Sequence, residues 1–333
     1  MKGILFFVIH LLLILITGCG ELEKVKYDHN LKIDLLSEAW PGWAIAYSGY
    51  REGQDPRVKK YPSQKEVKED LLILERNWRL IRTYGADQHT SDILEIIRRE
   101  KLNLKVLMGI WLDGEPDYAE DNKSQIKYGI ELANKFKDIV IAINVGNETQ
   151  PEWSDHKIST KKLITYIDTV KSEVSVPVTT ADTWDYWLDT VKSRDLIDAV
   201  DFLAVHVYPI WGKLDIDNGL SSTIEIFQKL KSTNPYKKII ISEAGWATYT
   251  EGELHVPQAG DEKKQKRYFQ ELMQWSQSNK ITVFWFEAFD EPWKGNGTEG
   301  HWGLFTEGRK AKLAMHDLYP ELVISEPTSP SYE

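Results

Sequence analysis

A rhythm limits what this chain can fold into: eight short apolar runs, each followed by a longer polar or amphipathic stretch. The runs are Trp43–Ser48, Leu80–Gly85, Lys105–Trp111, Ile139–Val145, Val176–Ala181, Val200–Val207, Lys238–Ser242 and Ile281–Phe286. They are nearly continuous in hydrophobicity, as strands of a parallel sheet covered on both faces must be. Helical periodicity marks Ser63–Trp78, Ser91–Glu100, Lys123–Lys135, Thr160–Glu173 and Glu262–Ser278 between them, and a last helix is expected over Lys310–Tyr319. Successive runs start roughly 25 to 45 residues apart, the length of one strand–helix unit. Eight such units of one composition predict a single-domain α/β fold, a (β/α)8 barrel. The alternative is a doubly wound open sheet, but no Gly-rich dinucleotide turn opens the first strand–helix junction.

The N-terminal stretch is read as a targeting segment, outside the fold. Lys2 precedes the apolar run Ile4–Ile16, whose thirteen residues fall short of the roughly 20 that a membrane span needs. Ile16-Thr17-Gly18-Cys19 resembles a bacterial lipobox, which implies lipidation at Cys19, the one cysteine of the chain. The expected organisation is a lipoprotein signal peptide (1–18), a lipid-anchored tether (19–36), the barrel (37–322) and a disordered Ser/Pro-rich tail (323–333). The protein would then be extracytoplasmic, held on a bacterial membrane, the outer one being expected, and facing the periplasm or the cell surface. A single cysteine also rules out a disulfide framework, and at this position it serves neither thiol catalysis nor a Cys-based zinc site.

A formal charge of −10 argues against a nucleic-acid partner, whose phosphates demand a basic face. Thirteen tryptophans and fifteen tyrosines point elsewhere: aromatic faces stack on pyranose rings, although at least half of them are expected in the core.

In such a barrel the functional residues sit at the C-terminal strand ends. The fourth run leads into Gly146-Asn147-Glu148 and the seventh into Ser242-Glu243-Ala244-Gly245-Trp246. Each puts a glutamate at the barrel mouth. Alone, Glu148 could be a helix-start carboxylate, whereas a charge at the end of a buried strand, as at Glu243, is costly without partners. Glycoside hydrolysis requires two carboxylates flanking the scissile bond, and Glu148 and Glu243 meet that requirement as the catalytic pair. His206 and Tyr208 alternate along the sixth run, so both face one side, where the tyrosine could hydrogen-bond Glu243; the other reading is a satisfied polar lining. No His or carboxylate cluster shows metal-ligand spacing, and no cofactor is expected.

These residues resemble the retaining barrel glycosidases and, more narrowly, the bacterial branch of family 17 glycoside hydrolases, mostly β-1,3-glucanases. Five motifs carry the resemblance: Ala46-Tyr47-Ser48-Gly49-Tyr50-Arg51-Glu52-Gly53-Gln54; Ile81-Arg82-Thr83-Tyr84; the Gly-Asn-Glu ending at Glu148; the Ser-Glu-Ala-Gly-Trp at Glu243; and Phe286 to Lys294 with Trp302-Gly303-Leu304-Phe305. The resemblance implies an endo-acting enzyme on laminarin-like β-1,3-glucan. Its double displacement would use Glu243 as nucleophile and Glu148 as acid/base. It further implies that Asn147 binds the sugar 2-hydroxyl and that Tyr47, Tyr84, His206 and Tyr208 contribute to substrate binding. Arg82 is placed to hold Glu243 ionised, or makes an ordinary structural ion pair. Glu287, Glu291 and Lys294 would support the site, and Trp111, Trp184, Trp246, Trp293 and Trp302 are candidate sugar platforms. Ala247-Thr248-Tyr249 departs from the family, which carries a proline there.

Two other functions share these features. A β-1,3-glucanosyltransferase would use the same glycosyl-enzyme. A non-catalytic glycan-binding lipoprotein is disfavoured because both carboxylates are kept. The expected partners are a β-glucan and, through Cys19, a membrane, with the chain monomeric by default.

Overall fold

The computed structural model describes residues 34–252 and 259–323. Cys19, the signal segment, most of the tether and nearly all of the tail fall outside them. The strands are β1 (Ala44–Ala46), β2 (Leu80–Arg82), β3 (Lys105–Ile110), β4 (Val140–Asn147), β5 (Val178–Thr183), β6 (Leu203–His206), β7 (Ile239–Ala244) and β8 (Val283–Trp285). They close into a barrel in sequence order, every pair parallel, with β1 bonded to both β2 and β8. The eight-unit (β/α)8 barrel expected from the apolar rhythm is therefore present.

Small and medium side chains fill the lumen: Ala44, Leu80, Leu107, Ala142, Ala181, Ala204 and Ile240 pack with Phe202 and Phe284, and Leu35 joins them from the segment before β1. The outward strand faces meet the apolar stripes of the helices in a second, larger core. Those helices are α1 (Gln64–Glu75), α2 (Gln88–Glu100), α3 (Ala119–Lys135), α4 (Thr160–Glu173), α5 (Trp184–Leu188), α6 (Arg194–Ala199), α7 (Gly219–Thr233) and α8 (Glu262–Asn279). Their starts follow local chemistry. Ser63 and Glu66 form a reciprocal capping box on α1, while Asp87, Ser159 and Asp261 accept backbone N–H bonds at the starts of α2, α4 and α8.

The expected helix over Lys310–Tyr319 does not form; the segment keeps only a short 3-10 turn at Leu313–Met315. Its backbone is used otherwise. Lys312 N donates to Leu304 O at 3.0 Å, and Ala311 bridges Phe305, so the chain is strapped across the strand-eight loop. Arg309 anchors the strap by donating from Nε and Nη2 to the fully buried Asp70 of α1, at 2.7 and 2.6 Å.

Candidate active site

The C-terminal strand ends line a cleft of about 1740 Å³, large enough for several sugar rings. Two local features bring the glutamates to it. Across the end of β4 the backbone takes positive φ, +76° at Gly146 and +48° at Glu148, so the Glu148 side chain leaves the strand line and enters the cleft. After β7, a Cβ on Gly245 would lie 2.1 Å from Phe286 O, so only glycine lets β7 and β8 approach just beyond Glu243.

Glu148 and Glu243 face each other, one carboxylate oxygen of each lying within 4.8 Å of the other. Their surroundings differ. The Glu148 side chain is 20% exposed and that of Glu243 only 6%. Four groups converge on Glu243. Arg82 Nη1 and Tyr84 OH each donate to Oε1 at 2.8 Å, Tyr208 OH donates to Oε2 at 2.6 Å, and His206 Nδ1 lies 3.4 Å from Oε2. Burial is the largest single influence on its pKa and pushes it up. The charge of Arg82, the His206 N–H beside it and the hydrogen bonds from Tyr208 and Tyr84 outweigh it, holding Glu243 below its ordinary carboxylate value. Burial first, and the Glu243 charge next, raise Tyr84 and Tyr208 well above the usual phenol range, so both stay protonated donors.

Arg82 is fully buried, and its guanidinium orders the rest of the floor. Nη2 donates to Asn147 Oδ1 at 2.6 Å, which fixes the amide so that its NH2 is the free end. Nη1 lies 3.0 Å from His206 Nε2. An arginine only donates, so Nε2 must accept and the imidazole proton sits on Nδ1, which donates to Glu148 Oε1 at 2.7 Å. One histidine thus bridges the arginine and Glu148. The donor atoms of Glu148, His206 and Glu243 are close enough to hold a cation. The guanidinium already supplies the positive charge there and both imidazole nitrogens are engaged, so the trio is built around a protein cation.

Beside the pair lies a second charged group. Lys294 Nζ donates to both oxygens of Glu287 at 2.9 and 3.0 Å and pairs with Glu291 Oε2 at 2.8 Å. Both carboxylates are 1% exposed. Burial, then the charge of Glu291, pushes Glu287 well above its ordinary value. Burial works against the Lys294 charge, but the two carboxylates outweigh it and raise its pKa.

The aromatic candidates divide. Trp111, Trp184, Trp293 and Trp302 line the cleft. Trp246 does not: it is fully buried, its Nε1 donates to Ala259 O at 2.6 Å, and its ring packs on Tyr268 of α8. Tyr47 is also core, its hydroxyl donating to Asp70 Oδ2 at 3.1 Å beneath the β1 end. Both were expected at the substrate, and both side chains turn into the wall instead. The sequence reading missed Trp153 and Trp211, which lie in the cleft wall at 65% and 43% exposure, and it missed Tyr50, Tyr61, His156 and Glu299 of the same wall. Trp153 and Trp211 follow strands four and six within a few residues, a signal that strand-end position alone could have supplied. Asp182 was also missed, one residue beyond where the fifth apolar run was ended.

A closed parallel barrel with two facing carboxylates across an aromatic cleft has the layout of a glycoside hydrolase. The chain belongs to the BtgE/BtgC glycoside hydrolase domain family, whose model matches residues 44–303. It is 32% identical over 321 residues to an Aspergillus niger protein named as glucan endo-1,3-beta-glucosidase btgC; the match covers 88% of this chain and 45% of that one. The chain thus spans less than half the length of the Aspergillus relatives that it matches. A glucan 1,3-beta-glucosidase of Arthroderma benhamiae is 28% identical, with 87% of this chain and 96% of that protein covered. Among solved structures, an endo-laminarinase from Formosa Hel1_33_131 superposes with a TM-score of 0.78 at 28% identity, covering 85% of this chain and 88% of that one. A Rhizomucor miehei β-1,3-glucanosyltransferase shares the fold at a TM-score of 0.68 and 23% identity, covering 82% and 96%.

Proposed function

We propose that this protein is a retaining endo-β-1,3-glucanase of the family 17 type, acting on laminarin-like glucan. The observation that carries the reading is the facing pair, Glu148 and Glu243, close enough that one carboxylate oxygen of each lies within 4.8 Å of the other. Retaining glycosidases hold their carboxyl groups about 5–5.5 Å apart, whereas inverting ones leave about 6.5–9.5 Å for a water. Glu243, held ionised beneath Arg82, Tyr84 and Tyr208, attacks the anomeric carbon. Glu148, more exposed and bonded to His206, gives its proton to the departing glycosidic oxygen. The C–O bond breaks as the Glu243–glycosyl ester forms. Glu148 then takes a proton from water, whose oxygen displaces Glu243 and restores the original anomeric configuration. The free NH2 of Asn147 is placed for the 2-hydroxyl, and Lys294 with Glu291 for other hydroxyls of the reacting ring. The names of the Aspergillus, Arthroderma and Formosa proteins support the β-1,3 linkage, and a cleft open along the barrel mouth supports internal cleavage.

The protein would act outside the cytoplasm of a bacterium, tethered to the outer membrane through lipidated Cys19. The lipobox-like Ile16-Thr17-Gly18-Cys19 supports this, and a Cys19→Ala protein that still fractionates with membranes would refute it. To test the activity, a soluble form beginning after Cys19 is incubated with laminarin, mixed-linkage β-glucan and carboxymethylcellulose beside Glu148→Gln and Glu243→Gln. A ladder of short oligosaccharides from laminarin, reduced on the order of 10²-fold or more in both variants, is expected. Products longer than the starting oligosaccharide would make it a glucanosyltransferase. Binding without cleavage would make it a glycan-binding protein.

A further inference from the structure

Glu148 occupies a backbone conformation that an L residue enters only at a cost, φ +48°, and such a turn persists only where its surroundings over-determine it. Three bonds hold it. Glu148 N donates to Ala181 O at 2.8 Å. His156 Nε2 lies 2.7 Å from Asn147 O, the carbonyl just before Glu148. Gln150 N, two residues after Glu148, donates to Asp182 Oδ2 at 3.2 Å. Two of the three acceptors or donors are thus consecutive residues of β5.

Asp182 is 0% exposed and lies outside the lining of the cleft. Its other oxygen accepts from Thr183 N at 2.8 Å, which fixes the plane of the carboxylate against the strand end. A buried carboxylate here is expensive: burial, and the charge of Glu148 beyond it, push Asp182 well above its ordinary value. No side-chain cation offsets it through a hydrogen bond or ion pair among the described residues; its carboxylate accepts from two backbone amides. An aspartate kept under those conditions does something that an apolar residue could not.

We propose that Asp182 is a positioning residue for the acid/base: it clamps the left-handed turn that aims Glu148 at the glycosidic oxygen. It would touch neither substrate nor the bond being broken. Its loss lets the Glu148 carboxyl drift from the leaving oxygen while Glu243, held from β2, β6 and β7, stays in place. The inference rests on the acid/base reading of Glu148 given above.

The test exploits leaving groups. Laminarin expels an alcohol that must be protonated, whereas a 2,4-dinitrophenyl β-laminaribioside expels a phenolate that needs no proton. Values of kcat/KM, which report steps through glycosyl-enzyme formation, are compared for the two substrates. Asp182→Ala is expected to lose about tenfold or more on laminarin relative to the aryl substrate, within the reach of general acid catalysis. Glu148→Gln should show the same leaving-group dependence more strongly, and adding Asp182→Ala to it should cost little more, since the two act on one function. Asp182→Asn, which keeps one acceptor oxygen, should fall between and covers the case in which the alanine variant folds poorly. Asp70→Asn perturbs a buried carboxylate remote from the turn and should affect both substrates equally. Equal losses on both substrates in the Asp182 variants would overturn the inference. Absence of leaving-group dependence in Glu148→Gln would instead overturn the acid/base reading itself.

Discussion

Tyr208→Phe isolates how the protein keeps Glu243 ionised. The hydroxyl donates at 2.6 Å to Oε2 of a carboxylate that is 6% exposed, and removing it deletes one oxygen from a ring held edge-on against Phe286 and Trp302. A hydrogen bond to a charged group is worth about 1.5–3 kcal/mol, and one pKa unit corresponds to about 1.36 kcal/mol. The Glu243 pKa should therefore rise by about 1–2 units, because burial, the largest influence, is then less fully opposed. The acid limb of kcat/KM against pH, which reports the free enzyme, should move up by that amount, with activity recovering toward wild type above the new limb. Stability follows the same linkage. Glu243 has a depressed folded pKa, so its contribution is present above the unfolded value and is lost as pH falls through the folded one. The variant should thus be less stable than wild type near neutrality, and the gap should close in acid. An acid limb that stays in place, with activity reduced evenly at every pH, would refute the argument that Tyr208 acts through the charge of Glu243.

Other substitutions separate roles that the sequence groups together. Lys294→Met strands two buried carboxyls, Glu287 and Glu291. It should cost about 3–5 kcal/mol in denaturant melts near neutrality. Trp153→Ala removes a 65%-exposed ring of the cleft wall and should raise KM for laminari-oligosaccharides with kcat and stability nearly unchanged. Trp246→Ala should do the reverse, losing about 3–5 kcal/mol of stability from the packing against Tyr268 with little change in KM.

The fold was legible because its signal repeats: eight parallel strands buried on both faces write eight apolar runs, and Thr160–Glu173 coincides with α4 to the residue. The strap after Thr306 was not legible, because Lys310–Tyr319 has helical composition while Ala311 N and Lys312 N bond outside the segment, to Leu322 O and Leu304 O. At the site, strand-end position located Glu148, Glu243, Arg82, His206 and Tyr208, which the barrel brings into one bonded set. The same rule put Trp246 at the substrate, and the family resemblance put Tyr47 there, but both side chains lie in the core. Which way a side chain turns at a strand end depends on what packs behind it, here Tyr268 and Asp70, and those partners are 22 and 23 residues away. Asp182 went unread for a related reason. Its partner is a backbone N–H on the neighbouring strand's loop, and a peptide group has no sequence signature.

In the proposed double displacement Glu243 becomes covalently bonded to the sugar. The direct measurement is to treat the protein with a 2-deoxy-2-fluoro β-laminaribiosyl fluoride, in which fluorine slows turnover of the glycosyl-enzyme, and to locate the adduct by peptide mass spectrometry. One laminaribiosyl adduct is expected on the peptide containing Glu243, and none in Glu243→Gln. An adduct on a different carboxylate, Glu287, Glu291 or Glu299 among them, or hydrolysis that inverts the anomeric centre with no adduct at all, would contradict it.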